Sequence, residues 1–188
     1  MSSQEPKKGE NSGSQKKSGK DKKSSGPEYT GYDLDYFLEP RDVMNAVRKL
    51  DEAGYFLEDI SCLDMSEGFQ VVYHFDRYHR PGRVVLRVMV DRSDPRIPSI
   101  FTVYPGAAWH ERECFDFFGI RFSRHPNLLP LLLDPEHAGP PPLLKDEEAR
   151  KSLDELYPNR DHTPISSKNQ EFMRQILDCS NLKRRTQT

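Results

Sequence analysis

Residues 55–91 read YFLEDISCLDMSEGFQVVYHFDRYHRPGRVVLRVMVD, and the period of their apolar residues decides the fold. In Arg83 to Asp91 the residues Val84, Leu86, Val88 and Val90 alternate with a mixed set that still includes Val85 and Met89, the pattern of a strand buried on one face and partly covered on the other. Two further strands are predicted upstream. YFLEDISCLDM and FQVVYHF are separated by Ser66-Glu67-Gly68, a short turn, and His79-Arg80-Pro81-Gly82 makes the next one. Three strands joined by such short turns run antiparallel, as a meander.

Working outward, residues 39–54 (EPRDVMNAVRKLDEAG) place Val43, Ala46, Val47, Leu50 and Ala53 at spacings of three and four, with Pro40 at a first-turn position and Gly54 as a stop. This predicts an amphipathic helix. Downstream, SIFTVY (99–104) reads as a fourth strand, and residues 105–119 (PGAAWHERECFDFFG) as a helix entered at Pro105-Gly106 and stopped by Gly119. Beyond Ile120, Pro126, Pro130, Pro135 and the triplet Pro140 to Pro142 repeatedly deny helical hydrogen bonds. The expected fold class is therefore α+β: a mostly antiparallel sheet of about four strands with helices on one face, and an extended proline-rich C-terminal arm. Helical patches at 146–157 and 167–177 carry few apolar residues and suit a neighbour's surface. The domain boundaries fall at 1–27 (a Lys/Ser/Gly-rich tail), 28–125 (the α+β domain) and 126–188 (the docking arm).

Composition narrows the function. Residues 1–27 hold seven Lys against Glu5, Glu10 and Asp21, a formal +4 in a chain of −2, which leaves −6 for the rest. With no apolar residue beyond Met1 the tail is expected to be disordered, and the acidic remainder disfavours nucleic acid as a partner. The tail also lacks the apolar stretch of a secretory signal and the Arg-rich, acid-poor character of a transit peptide, so a cytosolic location is expected. Cys62, Cys114 and Cys179 stand alone, without CxxC spacing, which argues against a cluster or structural zinc on this chain. There is no HExxH, no G-x-S-x-G and no glycine-rich phosphate loop, and with them goes the case for a self-contained enzyme.

The densest chemistry lies in WHERECFDFFGIRFSRHPNLLPLLL (109–133) and the later PLLKD. On a helix Arg112 and Asp116 share a face, as do Glu113 and Phe117, which predicts an ion pair beside an aromatic strip. Charge and aromatics at this density suit a contact with a partner chain. His125 before Pro126 has two readings, a proton relay or a ring that hydrogen-bonds a loop backbone.

This segment resembles the 30-kDa subunit family of respiratory complex I, the C subunits of NADH-quinone oxidoreductases. The family's signature falls here on Trp109, Glu111, Arg112, Glu113, Asp116, Phe117, Phe118, Gly119, Ile120, His125, Pro126, Asn127, Leu128, Pro142, Leu143, Lys145 and Asp146. The resemblance implies a structural subunit, without catalytic residues or a cofactor of its own, that braces the quinone-site module. Its expected partners are the large subunit (49-kDa-like, or the large subunit of a hydrogenase) and the small iron-sulfur subunit, with the membrane arm reached indirectly. The complex is expected to hold iron-sulfur clusters and either flavin and quinone or a nickel-iron centre, on the cytoplasmic face of a prokaryotic membrane. The subunit interface is expected at Trp109, Glu111, Arg112, Glu113, Asp116, Phe117, Gly119, His125, Pro126, Leu128, Pro142, Leu143, Lys145 and Asp146. Two departures, Leu129-Pro130 where basic residues are usual and Leu144 in place of Arg, resemble instead the equivalent subunits of membrane-bound nickel-iron hydrogenases. The electron donor thus stays open between NADH, ferredoxin, formate and hydrogen.

Overall fold

The computed structural model describes residues 31–78, 82–158 and 160–165, with Glu171 and Arg174 beyond them. The tail 1–27, most of the turn at 79–82, the rest of the 167–177 patch and Cys179 lie outside the described residues. The three expected strands form the centre: β2 (Phe56–Met65), β3 (Gly68–Asp76) and β4 (Val84–Val90), paired antiparallel in that order. Gly68 closes the first turn at φ 149°, and a Cβ there would sit 2.5 Å from the Val90 carbonyl oxygen, so the hairpin can lie this close to β4 only with glycine.

The fourth strand is β1 (Leu34–Leu38), parallel to β4 with Leu34 opposite Val84, which gives a mixed sheet of order β1-β4-β3-β2. The expected strand at 99–104 does not form. Ser99 Oγ and the Ile100 amide are both held by the Glu111 carboxylate, and the Val103 and Tyr104 amides turn back to the Ile100 carbonyl. Side-chain bonding to local backbone thus displaces the ladder that β-branched content favours. Just before it, β5 (Arg96–Pro98) pairs in parallel with β6 (Arg121–Ser123), a separate ribbon that brackets the second helix.

A 3-10 turn at Pro40–Asp42 leads into α1 (Val43–Glu52), whose Val43, Ala46, Val47 and Leu50 are fully buried. The second helix, α2 (Ala107–Phe118), buries Ala107, Glu111 and Cys114 and ends at Gly119 in the left-handed region, φ 75°. Both helices share one hydrophobic core with Val71, Tyr73, Phe75, Val84, Leu86 and Val88, the alternating set of β3 and β4.

The sheet's other face is covered by the chain's own C-terminal part. Residues 151–165 cross it, starting at a bridge between Lys151 and Met65 and ending where the Ile165 amide donates to the Phe37 carbonyl, 2.7 Å. The helical patch expected at 146–157 reduces to a 3-10 turn at Glu147–Ala149, just before this strap, and a single turn within it, α3 (Leu153–Leu156), whose Ser152 and Glu155 form a capping box. Its anchor is Tyr157, whose hydroxyl donates to Gln70 Oε1 (2.7 Å) and accepts from Arg87 Nη1 (2.8 Å). Arg87 also forks onto Asp35 at 2.9 and 3.0 Å, and Arg160 reaches the same carboxylate at 2.7 Å. This part of the expected extended arm thus returns to its own domain, by polar anchoring.

Candidate functional site

Residues 124–150 run irregularly along α2 and are fastened to it by two of the helix's side chains. Arg112 donates from Nε to the Leu129 carbonyl (2.7 Å) and from Nη2 to the Pro130 carbonyl (2.5 Å). One turn on, Asp116 Oδ2 accepts from the amides of Leu131, Leu132 and Leu133 at 2.8, 2.7 and 3.1 Å. The expected ion pair between them is corrected by this geometry: each engages a run of backbone instead, a cation on carbonyls and an anion on amides. The swap has a physical reason. Proline-punctuated chain has orphan carbonyls and amides to satisfy, and charge-assisted bonds to them are roughly twice as strong as neutral ones.

The clasp continues past the helix end, where the Leu143 amide donates to the Phe117 carbonyl (3.1 Å) and Pro141 packs against Gly119. Asp64, fully buried at the end of β2, then takes the Lys145 amide at 2.7 Å, and Arg92 and Arg150 neutralise it at 2.5 and 3.4 Å. Burial raises the carboxyl, but the Arg92 hydrogen bond, the Lys145 amide and the two guanidinium charges outweigh it, so its pKa lies below the ordinary value.

Glu111 and His125 occupy the inner side of α2. Glu111 accepts from Ser99 Oγ (2.5 Å) and from the Ile100 amide (2.7 Å), with no exposure to solvent. Burial pushes its carboxyl up to about 7 in spite of the two hydrogen bonds. His125 Nδ1 accepts from the Asn127 amide (3.0 Å) and Nε2 lies 3.2 Å from the Ala108 carbonyl, which fixes the tautomer with the proton on Nε2. Nε2 also lies 3.9 Å from Glu111 Oε2. The ring thus bonds loop and helix backbone.

The expected interface residues differ in where they lie. Arg112, Asp116, Phe117 and Gly119 hold the returning chain; Glu111 and His125 are interior; Pro126, Pro142, Leu143, Lys145 and Asp146 are exposed on the arm, with Leu128 and Glu113 half-buried. Trp109 is 64% exposed, with the Arg112 guanidinium 5.9 Å from its ring centroid. Ser99, Asp64 and Tyr157 were not singled out from sequence. The one signal for Asp64 was an acid in the sheet-forming run, four residues from Gly68.

The described residues form a small α+β domain with a returning chain clasped to one helix, and none of their helices is long and apolar enough to cross a membrane. The chain belongs to the family described as respiratory-chain NADH dehydrogenase, 30 Kd subunit, whose model matches residues 37–152. The C subunit of the NADH-quinone oxidoreductase of Roseiflexus sp. (strain RS-1) is 37% identical over 121 residues, 61% of this chain and 69% of that one. The C subunit of the F(420)H(2) dehydrogenase of Methanosarcina mazei is 38% identical over 91 residues, 48% of this chain and 53% of that one. The chain spans only 20% of the longer C/D subunit of the NADH-quinone oxidoreductase of Methylococcus capsulatus. Among solved structures, a chain of an archaeal membrane-bound sulfane sulfur reductase, a respiratory membrane complex, shares the fold with a TM-score of 0.55 at 21% identity, over 70% of this chain and 81% of that one.

Proposed function

We propose that this chain is a non-catalytic assembly subunit in the peripheral arm of a complex I-type oxidoreductase, bracing the quinone-site module while electron transfer is coupled to ion translocation. One observation carries the reading. Of the six large hydrophobic side chains exposed among the described residues, five (Trp109, Leu129, Leu132, Leu143 and Leu144) belong to α2 and the chain clasped to it. Large apolar side chains left exposed along one helix and the chain clasped to it, among charged neighbours, mark a protein contact. The partner is the large subunit, with the small iron-sulfur subunit beside it, on the cytoplasmic face of the membrane. The clusters, flavin, quinone or nickel-iron centre of the complex sit on those other chains.

Leu132→Glu tests this. Leu132 is 62% exposed, so the variant should melt like the wild-type chain and yet fail to enter the native complex. Assembly at wild-type yield would refute the docking surface.

A second reading, an equivalent subunit in an energy-converting hydrogenase or another complex with a different donor, is favoured by Leu129-Pro130 and by the F(420)H(2) dehydrogenase relative. The flavin and metals of the purified native complex decide between the two.

A further inference from the structure

Between the C-terminal half of α2 and the proline loop lies a cavity of about 200 Å³, lined by Phe115, Asp116, Pro130, Leu133, Asp134 and His137 among others. Cofactors and drug-sized ligands occupy about 300–1,000 Å³, so this space suits a single side chain. Its walls are apolar and its rim residues Asp134 and His137 are exposed. Asp116, only 5% exposed, has one oxygen satisfied by three amides, while the other, Oδ1, is buried without a hydrogen-bond partner. A buried carboxylate oxygen left unpaired is costly; a hydrogen-bond donor relieves it, and a cationic donor most strongly.

We propose that this cavity receives an arginine side chain of the docked partner, with Asp116 as its counter-charge; the inference rests on the docking reading above. The aliphatic stem would lie along Pro130, Leu133 and Phe115, and the guanidinium would donate to Asp116 Oδ1 and meet Asp134 at the rim. Arginine suits the place better than lysine, because its planar head packs on an aromatic ring, is weakly hydrated and donates from several N–H groups at once. His137 lines the same space, its Nε2 3.4 Å from the Pro140 carbonyl.

Titration of the full chain with N-acetyl-arginine amide, followed by amide NMR shifts, tests the proposal, with N-acetyl-citrulline amide as the uncharged isostere. Arginine should shift the Leu131, Leu132, Leu133 and Gly119 amides in a saturable way and citrulline should not. Asp116→Asn keeps a carbonyl oxygen for the three amides while turning the open atom into a donor, and should weaken arginine binding about 10- to 100-fold. Should that variant lose the clasp, Asp134→Asn, which still accepts from the Glu136 amide, must weaken binding on its own. Equal shifts from both probes, or none from either, would overturn the pocket. If the pocket fails while Leu132→Glu still blocks assembly, the docking surface stands without it. If the pocket binds arginine while Leu132→Glu assembles normally, the docking reading falls instead.

Discussion

Glu111 is a residue whose burial has a measurable consequence near neutral pH. Its folded carboxyl keeps a proton up to about pH 7, whereas an unfolded one releases it near 4.5. Between those two values the folded state binds more protons, so stability falls as pH rises through the window and levels off above it, with a total effect of roughly 3 kcal/mol. Glu111→Gln preserves an acceptor for the Ile100 amide and an amide group for Ser99 Oγ, without the charge. Urea unfolding at pH 5 and pH 8 should therefore show wild type losing stability between the two pH values and the variant losing little from this source. At Asp116 one oxygen serves three amides; Asp116→Ala would leave those N–H groups without their acceptor, at about 1–3 kcal/mol each if no water replaces the oxygen. Faster hydrogen exchange at Leu131 to Leu133, with β3 and β4 unchanged, is the expected result.

Among elements, α2 depends on how it stops. Gly119 sits at φ 75°, where a side chain costs about 1–2 kcal/mol, and a Cβ would stand 3.3 Å from the Pro141 ring. Gly119→Ala should thus lower the melting temperature and loosen the 141–145 stretch, visible as protease cleavage there before cleavage in the sheet. This glycine, the meander and both long helices were legible because each is written in local spacing. The misreadings share one cause. β1 carries only five residues, LDYFL, and its pairing with β4 is a non-local fact; residues 99–104 have strand composition, yet a carboxylate from a helix a few residues further on captures their polar groups. The site was legible as a set of residues but not as a wiring, since a spacing of four between Arg112 and Asp116 is equally compatible with a mutual pair and with two separate grips on passing backbone.

For the whole molecule, the strap over the second sheet face converts a two-layer domain into one whose C-terminal chain is structural. Tyr157→Phe tests how firmly. It would leave Gln70 Oε1 and Arg87 Nη1 without the hydroxyl they share, and destabilisation of about 1–3 kcal/mol by calorimetry is expected, where a loosely laid strap would give none. The parallel pairing of β1 with β4 has a further implication, in the order of events during synthesis. Leu34 meets Val84 across some fifty residues of intervening chain, and the strap reaches Phe37 only with Ile165. Loop-closure entropy opposes such distant contacts until the local ones exist. The meander must therefore emerge from the ribosome and pair before β1 has anywhere to go, and β1, though made earlier than the meander, is secured after it.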